Sequence, residues 1–155
     1  MSAGYSIYDY NNDKDPITSS SSTEIWQLVF RQTVPFYQSN NAWLLHNEND
    51  PSNDNYSILE QIDDTYRRED GKFHFKFVWP GSSFPNNQEW KQTSNPVTTQ
   101  NSVTGYEAVD INYTHNSWGG INKTSSGSAL IDGSPTNGNW YYAVGSANSW
   151  GGGIP

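Results

Sequence analysis

Residues 72–79 read Lys72-Phe73-His74-Phe75-Lys76-Phe77-Val78-Trp79. Rings at 73, 75, 77 and 79 alternate with Lys72, His74, Lys76 and Val78. Successive side chains of a β-strand point to opposite faces, so this spacing predicts a strand whose aromatic face turns to a core. Asp70-Gly71, just before it, is a turn signal. Shorter segments rich in β-branched and aromatic residues, at 24–30, 106–113, 129–131 and 140–144, are set off by Gly, Asn and Pro. Trp26, Trp79 and Trp140 fall in such strands and are expected in the core. One helix is expected at 57–66. There Ser57 and Glu60 have capping-box spacing, and Ile58, Leu59, Ile62 and Tyr66 share a face. The pattern predicts an all-β fold: an antiparallel β-sandwich or open barrel with one or two short helices.

Composition agrees with a folded domain of unusual surface. Only 33% of the 155 residues are hydrophobic, but 15% are aromatic, so a few large rings replace many aliphatic side chains in the core. Charged residues are also 15%, which leaves Asn, Ser, Thr and Gln to solvate the surface. All of the net charge of −8 sits in residues 1–70, with 12 acids and 4 bases; residues 71–155 carry 4 of each. An acidic chain repels phosphate, and the one basic pair, Arg67-Arg68, is neutralised by Glu69-Asp70, so no nucleic-acid partner is expected. No apolar run is long enough for a membrane span. Residues 1–5 lack the basic start and apolar run of a signal peptide. Cysteine is absent, which removes disulfides and thiolate ligands. Residues 1–23, polar, acidic and ending in a serine run, read as an N-terminal arm, either a flexible leader or a strand or metal loop that docks on the body; 24–155 form the single β-rich domain.

The familiar enzyme signatures are missing: there is no G-x-S-x-G, H-E-x-x-H, P-loop or dinucleotide-binding glycine pattern. His46, His74 and His115 lie in separate segments, and nothing pairs two carboxylates for glycoside chemistry. The expectation is therefore a non-enzyme. A calcium site is expected where Asp9, Asn11, Asp13 and Asp15 place an oxygen at every second position. A second oxygen-rich loop, Asn47-Glu48-Asn49-Asp50 with Asn53 and Asp54, stands ready to close it. Asn55, Asn112 and Asn122 open N-x-S/T sequons and are candidate glycosylation sites.

Two stretches echo each other. Tyr106-Glu-Ala-Val109 precedes Asn116-Ser-Trp118-Gly-Gly-Ile121, and Tyr141-Tyr-Ala-Val144 precedes Asn148-Ser-Trp150-Gly-Gly-Gly-Ile154. They read as two similar strand exits on one rim. The rings of Trp118 and Trp150 either fold back to cap the ends of the sandwich or stand exposed; exposed indoles in glycine turns stack on the C–H faces of sugars, with amides beside them for the hydroxyls. The candidate ligand-binding residues are accordingly Trp118, Trp150, Asn116 and Asn148, with Trp90 in the irregular stretch 80–96.

Residues 78–155 resemble an uncharacterised domain of secreted and cell-surface proteins of marine invertebrates and algae. The shared pieces are Val78-Trp-Pro80, Trp90-Lys-Gln-Thr-Ser-Asn-Pro96, Gly105-Tyr-Glu-Ala-Val109, Trp118-Gly-Gly-Ile121, Leu130-Ile-Asp-Gly133, Trp140-Tyr-Tyr-Ala-Val-Gly145 and Gly152-Gly-Ile-Pro155. Trp26-Gln-Leu-Val-Phe-Arg-Gln-Thr33 is more loosely similar to the opening strand of fibrinogen-like lectin domains. The resemblance implies an extracellular, modular setting and no catalytic residue. The function expected is an extracellular or particle-surface module, lectin-like or adhesive, that binds glycans through rim aromatics. The alternative is a structural subunit of a filament, matrix or virion surface that associates with itself or with other surface proteins through Tyr and Trp.

Overall fold

The computed structural model describes residues 4–10 (as backbone), 26–78, 87–112, 118–125, 127–133 and 144–149. Its central strand is β4 (Phe73–Val78). Phe73, Phe75 and Phe77 are buried while His74, Lys76 and Val78 are only half covered, the period-two pattern read from the sequence. Trp79 lies outside the described residues.

Around β4 the chain builds a six-stranded antiparallel sheet from β1 (Gly4–Tyr10), β2 (Trp26–Thr33), β3 (Tyr56–Ser57), β5 (Asn87–Gln92) and β6 (Glu107–Ile111). The order is β3-β2-β1-β4-β5-β6. A three-stranded antiparallel sheet holds β7 (Ile121–Lys123), β8 (Ala129–Gly133) and β9 (Val144–Ser146) in that order. The fold is all-β, and its only helical pieces among the described residues are single 3-10 turns.

Residues 4–10 take the docked-strand form of the arm: β1 pairs with β2 on one side and β4 on the other, and Ile7 stands opposite both Phe30 and Phe77. The expected boundary at 23/24 lies outside the described residues. The expected helix is corrected. At 57–66 there is no α-helix. Ser57 belongs to β3, and 3-10 turns at Leu59–Gln61 and Asp64–Tyr66 are parted by extended backbone at Ile62 and Asp63. The Asp63 carboxylate accepts from the Thr65 backbone N–H and restarts the chain, a local bond that competes with helix continuation.

β2 departs from strict alternation because its register with β1 shifts. Ile7 pairs with Phe30 and Tyr8 with Leu28, which leaves Val29 as an extra residue, and Val29 and Phe30 are both buried. Trp26, expected in the core, is half-buried instead and has the Lys76 ammonium 5.4 Å from its ring centre.

One apolar cluster joins both sheets. Opposite the phenylalanines of β4, β5 presents Gln88, Trp90 and Gln92, all fully buried. Gln92 reaches the small sheet by accepting from the Ile121 N–H at 3.0 Å and donating to the Ile121 carbonyl at 2.9 Å. On β2, Gln32 treats Ser146 the same way, at 3.0 and 3.3 Å. Glycine is required where the sheets meet. A Cβ on Gly145 (φ +70°) would lie 2.9 Å from Trp43, and one on Gly120 (φ +92°) 2.8 Å from Gln92 Oε1.

Candidate functional site

The two described rings expected to bind sugar are core. Trp90 is fully buried, and Trp118 is 7% exposed. They meet edge-to-face at 4.9 Å, and Trp118 also meets Phe77 at 5.6 Å. The Trp118 ring folds inward against β4 and β5 rather than standing out at a rim, which corrects the ligand-binding assignment of Trp90 and Trp118. The sequence echo does not place its strands alike either: β6 closes one side of the large sheet and β9 one side of the small sheet. Asn148 is half-buried. Asn116, Trp150 and Trp140 lie outside the described residues.

Of the sequons, Asn122 is corrected. It is 3% exposed, and its Nδ2 donates to the Asp132 carbonyl at 3.4 Å, so no glycan fits there in the folded chain. Asn55 is half-buried and its Oδ1 accepts from the Thr33 backbone N–H at 2.9 Å. Asn112 is exposed beside Asp110. Of the expected calcium ligands, Asn11, Asp13 and Asp15 lie outside the described residues, and of Asp9 only the backbone, in β1, is described. The second oxygen-rich loop uses its side chains on itself. Asp50 accepts from the Ser52 N–H, Asn53 from the Asn55 N–H, and Arg31 clips the carbonyls of Pro51 and Asn53. No group of three or more His, Asp or Glu gathers as a metal seat among the described residues.

The outer face of the large sheet carries a charge network. Asp70 bonds His74 Nε2 at 3.0 Å and Lys91 Nζ at 3.1 Å, and Glu107 bonds Lys72 Nζ at 3.0 Å. Burial pushes the Asp70 carboxyl up, but bonds from His74, the Lys72 backbone and Lys91 outweigh it and hold it at about 2. Burial pushes the His74 imidazole down, against the pull of Asp70. The bond from Lys72 and the charge of Lys91 hold Glu107 low. The charges neutralise one another, as in structural ion-pair networks.

One partly exposed aromatic cluster among the described residues was not singled out in the sequence reading. After β2 the chain turns, with the Phe36 N–H donating to the Thr33 carbonyl and Gln32 Nε2 donating to the Phe36 carbonyl at 2.8 Å. The 3-10 turn Asn40–Trp43 then puts the fully buried Trp43 behind Phe36, edge-on at 5.7 Å. His46, held by paired backbone bonds to Ser57, lies 5.3 Å from Phe36 and 5.5 Å from Trp43. Phe36 is the outermost of the three at 38% exposed, and Leu45 is equally exposed. From Gln32 to Leu45 no side chain carries a formal charge. In the sequence Val34, Phe36 and Tyr37 read as continuing the strand or pairing with it after a bend; Pro35 is the signal that the strand has ended, since proline cannot donate to a ladder.

Comparison with protein-family models, curated proteins and solved structures finds no match to this chain. The class rests on the architecture alone: an all-β chain of two antiparallel sheets sharing one core. None of its described helices is long and apolar enough to cross a membrane.

Proposed function

We propose that this protein is a non-enzymatic extracellular or particle-surface module, lectin-like or adhesive, that holds a neutral glycan against Phe36. The observation that carries the reading is Phe36 itself: an exposed ring backed by Trp43 and His46 in an uncharged segment. Small-ligand sites combine an apolar platform with a few polar groups, and a sugar presents one apolar face and a rim of hydroxyls to match. The low-charge, amide-rich composition supports the same setting. Binding of neutral oligosaccharides, followed by NMR titration, is expected to shift residues 34–46 and to vanish in Phe36→Ala. That variant should cost little stability because the ring is partly exposed. Undiminished binding by a folded Phe36→Ala chain removes the site.

One observation favours the alternative of a structural subunit. Among the described residues β6 ends the large sheet, and its bulge residue Val109 is 49% exposed. Unpaired strand edges template association. Sedimentation of the chain without sugar separates the readings, because oligomers that Val109→Lys dissolves would point to assembly.

A further inference from the structure

β7 and β8 run antiparallel with Asn122 opposite Asp132. Opposed residues on such a pair share a face. The Asn122 amide already rests on residue 132, through Nδ2 to its backbone carbonyl. Asn122 Oδ1 and Asp132 Oδ1 are both buried, and neither has a hydrogen-bond partner. Buried acceptors are almost always satisfied, so this pair is short of one hydrogen.

We propose that Asn122 and Asp132 form a proton-operated clasp between β7 and β8. With a proton taken from solvent, the Asp132 carboxyl donates its O–H to Asn122 Oδ1 and both acceptors are satisfied. When the proton leaves, a carboxylate faces an amide oxygen with no donor between them, and the small sheet loosens. Two oxygens make a poor seat for calcium, which takes six to eight, but they match a single hydrogen.

The surroundings keep the device sensitive. Lys123 follows Asn122 on β7, but it is exposed and strand alternation turns it to the opposite face. β9 and the 3-10 turn Asn40–Trp43, which pack against β8, bring no charged side chain. No ion pair involves Asp132 among the described residues. Burial pushes its carboxyl up to about 7, only partly opposed by the Gly133 backbone N–H. A carboxyl raised on folding gives stability that is present in acid and lost as pH climbs towards the folded value.

Thermal melts of the full chain between pH 5.5 and 8.5 test the clasp. The wild type is expected to lose several degrees of Tm as pH rises. Asp132→Asn supplies a permanent donor, so it should melt higher than wild type at pH 8.5 and show a flatter profile. Its histidines are unchanged, so the difference between the two profiles isolates Asp132. A wild-type Tm that does not fall, or an equal slope in Asp132→Asn, overturns the proposal. Should that variant not fold, carboxyl-carbon NMR of the wild type decides: a midpoint above about 5.5 for Asp132 supports the clasp and one below it, nearer the ordinary carboxylate range, overturns it. Millimolar calcium at pH 8.5 completes the test, for a rise in wild-type Tm that Asp132→Asn abolishes would mean the oxygens hold a cation instead.

Discussion

At the scale of single residues, the buried glutamines explain how the two sheets are joined. A primary amide carries one carbonyl and one N–H₂, the same pair a neighbouring strand offers. Gln92 spends that pair on Ile121 at one side of the small sheet, and Gln32 spends its own on Ser146 at the other. Each amide stands in for a missing strand. Both amides bond further: Gln32 Nε2 also donates to the Phe36 carbonyl, while Gln92 Oε1 accepts from Trp90 Nε1 at 2.9 Å and its Nε2 donates to the Ser94 carbonyl at 2.7 Å. Gln92→Leu keeps the bulk and orphans all of that residue's partners. An unsatisfied buried polar group costs about 1–3 kcal/mol, so a loss of at least about 3 kcal/mol is expected from urea denaturation. A loss under about 1 kcal/mol would mean that the amide is not what holds Ile121.

Among the elements, β1 has the largest consequence for its length. It lies between β2 and β4, so its backbone serves two ladders at once. Removing residues 1–10 takes both ladders away and leaves β2 and β4 as facing raw edges. The truncated chain is expected to lose most of its strand circular dichroism and to be cut rapidly by protease, whereas a detachable arm would leave the melt unchanged. β2 shows the same dependence at finer grain, because its two consecutive buried residues exist only through the bulge opposite Ile7 and Tyr8.

Over the whole molecule, Trp118 is where the burial of one sheet depends on the other. Its indole sits against Trp90 and Phe77 of the large sheet, while two residues on Gly120 turns the chain into β7. Trp118→Ala leaves a ring-sized void between layers. Truncations of buried Phe or Trp cost about 3–5 kcal/mol, and a loss of that order in urea is expected here. An unchanged stability would put the ring back on the surface, where the strand-exit reading of the sequence had it.

What the sequence determined by itself is the all-β class and the inward face of β4. Both follow from period-two spacing, a local property: Phe73, Phe75 and Phe77 announce their face without reference to anything distant. The candidate site was not legible. Phe36 becomes a platform only because Trp43 and His46 are carried behind it by a turn and by a bridge to Ser57. Trp90 and Trp118 sit in glycine- and asparagine-rich stretches that read as surface, and Gln32 and Gln92 are polar residues that no local pattern marks as core. All four are buried, the rings against each other and the glutamines against Ile121 and Ser146 of the small sheet. The partners of the two glutamines lie 114 residues away along the chain for Gln32 and Ser146 and 29 for Gln92 and Ile121. Local spacing states which side of a strand is apolar; only the tertiary structure decides what covers it, because covering depends on contacts between segments that share no local pattern.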